Sequence, residues 1–103
     1  NTVNYVFLLR ILYNKIQKLL SIKKLESNTQ NIDVLISSFK PAIFWKEKPI
    51  IKKQLSIWNQ EDLKEIANKI NEIELSCKKN PLLSKVIFFN FFNKLCKQAS
   101  KHS

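Results

Sequence analysis

The sequence predicts an all-α protein, a compact bundle of about five helices, and three observations carry that reading. None of the 103 residues is glycine, and turns that need positive φ usually recruit it, so hairpin-rich sheets and barrels are disfavoured. Apolar residues recur at spacings of three and four over most of the chain, the period of one helix face. The polar and proline-bearing interruptions are short, which suits neighbouring antiparallel helices.

The best-defined segment is NQEDLKEIANKINEIELSCKK, residues 59–79. Leu63, Ile66, Ala67, Ile70, Ile73 and Cys77 form one stripe, while Lys64, Glu65, Asn68, Asn71, Glu72 and Ser76 fall elsewhere. Asn59 is placed to cap it, because its side-chain oxygen can accept a free first-turn N–H. Glu61 and Asp62 at one end and Lys78 and Lys79 at the other complement the helix dipole. Asn80-Pro81 stops it, since proline disfavours helix in the residue before it.

A first helix is expected from residue 2 or 3 to 25. Tyr5, Leu9, Leu12, Tyr13, Ile16, Leu19 and Leu20 make its main stripe, and Phe7 and Ile11 lie nearly opposite. Its first half is therefore apolar almost all round. Either that half is buried in the domain, or it meets another domain or chain. The polar run SNTQN, 27–31, reads as a turn. A short helix is expected over 32–38, closed by Pro41, which pushes Lys40 out of helical geometry. Residues 42–48, AIFWKEK, read as a bend, and Pro49 suits the first position of a helix over 49–58, with Ile50, Ile51, Leu55 and Trp58 on one face. Asn80 is placed to cap a last helix over 81–97. There Leu82, Val86, Phe89 and Cys96 form one side, Phe88, Phe91 and Leu95 another, and Phe92 lies between. The polar tail QASKHS should fray.

The bulk numbers exclude whole classes of function. Without glycine there is no Walker-type or dinucleotide phosphate loop. No metal site is expected, because Cys77 and Cys96 are the only cysteines, no CxxC occurs, and the only histidine, His102, is in the tail. The same histidine rules out a credible Ser-His-Asp or Cys-His arrangement. Catalytic residues and cofactors are accordingly expected to be none. Two buried thiols are expected rather than a disulfide. Glu72, Glu74 and Lys78 read as surface charges, with Glu74 and Lys78 in the favourable i,i+4 order. The run VNYVFLLRILY is too short and too interrupted to span a membrane and lacks a signal-peptide cleavage pattern, so a cytoplasmic protein with no membrane partner is expected. The absence of methionine predicts that these residues form one domain, 1–103, excised from a longer chain.

The formal charge is +10. Such a charge suggests nucleic acid, but lysine also accumulates in chains rich in Asn, Ile and Phe, whose codons are AT-rich, and only one arginine, Arg10, is present. Phe44 and Trp45 stand beside Lys46 and Lys48. Aromatic faces next to cations can stack on bases and hold phosphates, although such a pair also plugs the core at a bend. Leu75 lies on an otherwise polar face, against a second helix of its own domain or against a neighbouring subunit.

These residues carry a resemblance. The run AIFWKEKPIIKKQLSIWNQEDLKEIANKINEIELSCKK, about a third of the chain, resembles the C-terminal domain of the delta subunit of bacterial DNA polymerase III, part of the sliding-clamp loader. The shared pattern is an aromatic pair (Phe44-Trp45) with basic residues (Lys46, Lys48), a helix ending at 55–58 before the cap Asn59, and Glu74-Leu75 with Lys78. The resemblance implies a helical collar domain that joins gamma/tau and delta-prime subunits to load the sliding clamp on primed DNA. The clamp itself would be reached through preceding N-terminal domains. The delta subunit is not an ATPase, and polymerisation belongs to another subunit. Some family members present an aromatic at the place of Phe44 to the template strand. A second such aromatic falls at Pro81 here, which departs from the pattern. On this reading Phe7, Ile11, Leu75, Phe88, Phe91 and Leu95 are the expected subunit-interface residues, and Phe44, Trp45, Lys46 and Lys48 the expected DNA contacts. The alternative is a free-standing basic helical nucleic-acid-binding module, and the spread of lysines over every helix but the short one at 32–38 speaks against it.

Overall fold

A computed structural model describes residues 3–26 and 31–102. Among them are five α-helices and no strand: α1 (Tyr5–Glu26), α2 (Ile32–Ser38), α3 (Lys48–Ile57), α4 (Gln60–Lys79) and α5 (Ser84–His102). Single 3-10 turns, Trp45–Glu47 and Pro81–Leu83, lead into α3 and α5. The all-α bundle is thus as expected.

Local chemistry sets most boundaries. Asn4 caps α1, its Oδ1 accepting the Phe7 N–H at 3.0 Å. Asn31 caps α2, accepting the Asp33 N–H at 2.8 Å. The rest of the turn expected over 27–31 lies outside the described residues. Phe39 is already extended (φ −62°, ψ 140°), so α2 ends before Lys40, the residue that Pro41 keeps out of helical geometry. Helix α3 starts one residue before Pro49, which takes the second position rather than the first. The Trp58 N–H closes that helix on the Gln54 carbonyl at 3.1 Å. At α4 the Asp62 N–H donates to Asn59 Oδ1 at 2.7 Å, and the Asn59 N–H donates back to Asp62 Oδ2 at 3.3 Å. That reciprocal box satisfies two otherwise free donors.

Asn80 does not cap the last helix. Its backbone N–H and side-chain amide both donate to the Ser76 carbonyl, at 2.9 and 3.2 Å, so it closes α4 instead. The tail expected to fray continues α5 as far as His102, because Ala99 still packs on the core.

The longest packing line is α1 against α4. Arg10, early in α1, pairs with Glu74, late in α4, so the two run antiparallel. Helix α5 folds back along α4, and the early part of α1 reaches it through Tyr5, whose ring lies 5.2 Å from Phe88. Lys23 Nζ donates to the Leu55 carbonyl at 2.7 Å, joining the late parts of α1 and α3. The expected α4 stripe is the middle of the core: Leu63, Ile66, Ala67, Ile70 and Cys77 are buried, and Ile73 is half-buried. Leu9, Ile16, Leu19, Leu20 and Ile22 of α1 close on it with Leu55 and Trp58. Each buried leucine or isoleucine among them contributes about 1.5–3 kcal/mol. Ile22 was outside the expected stripe, and is buried beside the Lys23–Leu55 junction.

The bundle is drawn out to 46 × 27 × 20 Å, with a radius of gyration of 15.0 Å. A compact domain of this length typically measures about 13 Å. Elongation raises surface relative to volume, so part of the apolar sequence stays outside.

Candidate functional site

Most of the exposed apolar surface falls in three places. The first half of α1 buries Leu9 but exposes Phe7, Leu8 and Ile11, so of the two readings open for that half, burial inside the domain does not hold. Phe7 and Ile11 are exposed, and so is Leu75 of α4, which no second helix covers and which is 53% exposed.

The second place is the outer side of α5 and the turn before it. Leu82 is 98% exposed, and Leu83, Val86, Phe89 and Phe92 are also exposed. This reverses the assignment for α5. Phe88 and Phe91 are buried, at 8% and 6%, and Leu95 is half-buried against the core. Phe88 stacks on Phe92 at 5.8 Å and meets Tyr5, while Phe91 lines the seam with Ile66 and Lys69 of α4. They are core residues rather than contact residues. Periodicity alone offers two apolar sides on this helix. Its rotation is set by packing at the α4–α5 junction, where the Cys77 thiol lies 3.7 Å from the Ser84 carbonyl. No signal local to α5 distinguishes Phe88 from Phe89.

The third place is the corner before α3. Ile43 is buried and anchors it, so the plug is Ile43 and not the aromatic pair. Phe44 and Trp45 stand 50% and 69% exposed, stacked on each other with centroids 5.9 Å apart and planes 22° from parallel. Lys46 Nζ sits 5.4 Å from the Trp45 ring centre, within cation–π range. Lys48 is half-buried in the first turn of α3. The corner therefore presents two aromatic faces and a cation to solvent. That combination suits base stacking beside a phosphate.

Glu74 is not a simple surface charge. Its side chain is 15% exposed and held between Arg10 on α1 and Lys78, 3.3 Å away, on its own helix. One carboxylate thus ties α4 to α1 through the chain's only arginine, whose fork suits carboxylate geometry better than an ammonium would. Glu72 remains an exposed charge paired with Lys69 at 3.5 Å.

The two cysteines differ. Cys77 is buried, and burial pushes its thiol above the usual range. Cys96 is exposed, which corrects the expectation of two buried thiols; it lies on the outer side of α5 with Phe89. Among the described residues no group of three or more His, Cys, Asp or Glu side chains could hold a metal ion. No helix among them is long and apolar enough to cross a membrane.

Compared with known proteins, the chain matches no family model, no curated protein and no solved structure.

Proposed function

We propose that this chain is an assembly domain of the clamp-loader collar type, from the delta subunit of a bacterial DNA polymerase III. It would join gamma/tau and delta-prime subunits in the cytoplasm and help load the sliding clamp on primed DNA. The carrying observation is the order of features from Phe44 to Lys78: an exposed aromatic pair with Lys46, a helix ending at Trp58, a capped α4, and Glu74-Leu75 with Lys78. Two structural facts support it. Glu74 serves the fold by fixing α4 on α1 through Arg10, with Lys78 bracing it from the same helix, while Leu75, between them in sequence, stands free. Phe7 and Ile11 leave a further apolar face uncovered, as an assembly domain needs. The domain itself performs no catalysis on this reading, and contact with the clamp belongs to preceding domains.

Size-exclusion chromatography of the full-length subunit with purified gamma/tau and delta-prime tests the proposal. The expected result is co-elution, weakened by Phe7→Asp or Leu75→Asp at unchanged melting temperature. Failure to co-elute at micromolar concentrations overturns it. Phe44→Ala should lower DNA-dependent clamp loading and leave stability alone. The competing nucleic-acid module predicts instead that the chain alone binds DNA tightly, with affinity falling steeply as salt rises.

A further inference from the structure

A groove of about 350 Å³ runs between α1 and α3, apart from the aromatic corner and from the outer side of α5. Ile11, Lys15, Lys18 and Leu19 line its α1 wall, and Ile50 and Ile51 of α3, with Glu47 of the turn before it, line the other. Leu19 and Ile51 form a buried floor, whereas Ile11 and Ile50 stand exposed at 40% and 58%. Lys15 and Lys18, nearly one turn apart, have no carboxylate of the described residues within ion-pair distance. The groove thus has an apolar floor and rim at Ile11, Leu19, Ile50 and Ile51, polar walls at Asn14 and Gln54, a cationic edge along α1 and the acidic Glu47 just before α3.

We propose that this groove docks an amphipathic helix of a partner protein, with an apolar stripe facing the floor and acidic residues facing Lys15 and Lys18. The lining decides the class of occupant. Nucleic acid would offer phosphates to the two lysines, but its bases need aromatic faces, and the groove has isoleucine, leucine and the repelling carboxylate of Glu47. A cavity of roughly 150 Å³ takes one benzene-sized group, so this volume takes about two leucine-sized side chains. The wall from Ile11 to Leu19 is about 12 Å long at 1.5 Å per residue, which matches two turns of a docked helix reading i, i+3, i+4 and i+7. Charge sets the direction: acidic side chains lie along α1, and a basic one is accommodated beside Glu47. The inference concerns the chemistry of the partner and stands whichever machine the domain serves.

The test uses a blocked helical peptide of about 15 residues, the length at which isolated helices become marginally stable. It carries leucines at i, i+3, i+4 and i+7 and glutamates along one flank. A shuffled peptide of the same composition, with no stripe, is the control. Amide shifts of the 15N-labelled chain are followed on titration with each. The striped peptide should produce saturable shifts confined to 11–19 and 47–54, with Kd below about 1 mM. Ile50→Asp, and separately Lys15→Glu with Lys18→Glu, should weaken it about tenfold or more. These positions are exposed or half-buried, and melting temperature checks that each variant is folded. Equal binding of the shuffled peptide would reduce the effect to net charge and overturn the proposal. So would shifts centred on α5, or no saturable shift with millimolar peptide.

Discussion

The first half of α1 is richer in apolar residues than the second and yet buries fewer of them. From Ile16 to Ile22 the helix buries Ile16, Leu19, Leu20 and Ile22. From Tyr5 to Leu12 it buries only Leu9 and leaves Phe7, Leu8 and Ile11 in solvent. Composition does not explain the difference. Near its end α1 is joined to α3 through Lys23 and the Leu55 carbonyl, while near its start it has α4 and the edge of α5 but nothing over Phe7. An apolar side chain is covered when another element reaches it, and an elongated five-helix bundle has too few elements to reach every side.

That contrast can be broken experimentally, and α5 repeats it most sharply. Phe88→Ala should cost about 3–5 kcal/mol in urea unfolding, because the ring is buried against Tyr5 and Phe92. Phe89→Ala, one residue on and 42% exposed, should cost about a third of that. Equal losses would mean that the outer side of α5 is covered in solution. Within α1, Ile22→Ala and Leu9→Ala should each cost about 2–5 kcal/mol, since both side chains are fully buried. Leu9 is the control showing that the early half is folded and anchored.

Glu74→Gln sharpens the comparison at the point where the early half is fastened. The loss should be about 1.5 kcal/mol, the low end of the range for hydrogen bonds to charged groups, and a cycle with Arg10→Ala should show coupling between them. Additive effects would mean that the bridge does not hold the helices. The smallest effect is expected for Phe7→Ser, within about 0.5 kcal/mol, read as an unchanged melting temperature. A large drop would place Phe7 in the core and remove the uncovered face.

Much of this arrangement was legible in the chain. The stripe of α4 and its Asn59 cap follow from spacing and from donor–acceptor chemistry over three residues. So do the short α2 and the stop at Asn80-Pro81. The surface was less legible. Phe7, Ile11 and Leu75 each lie opposite a clear stripe on their own helix, but spacing left open whether another element covers them. Phe88 and Phe91 were misread because α5 has two apolar sides of similar strength. Glu74 looked like a surface charge because its partner, Arg10, lies 64 residues away.

By itself the sequence determined where helices start and stop, because capping, proline geometry, missing glycine and periodicity all act within one or two turns. It also determined that more apolar surface exists than one helix can hide. Only the tertiary structure decided which side of α5 turns inward, that Ile43 rather than Phe44 and Trp45 fills the corner, and that Glu74 becomes a tie between α4 and α1. Those outcomes depend on contacts between residues far apart in the chain, and local preference is nearly the same for either alternative.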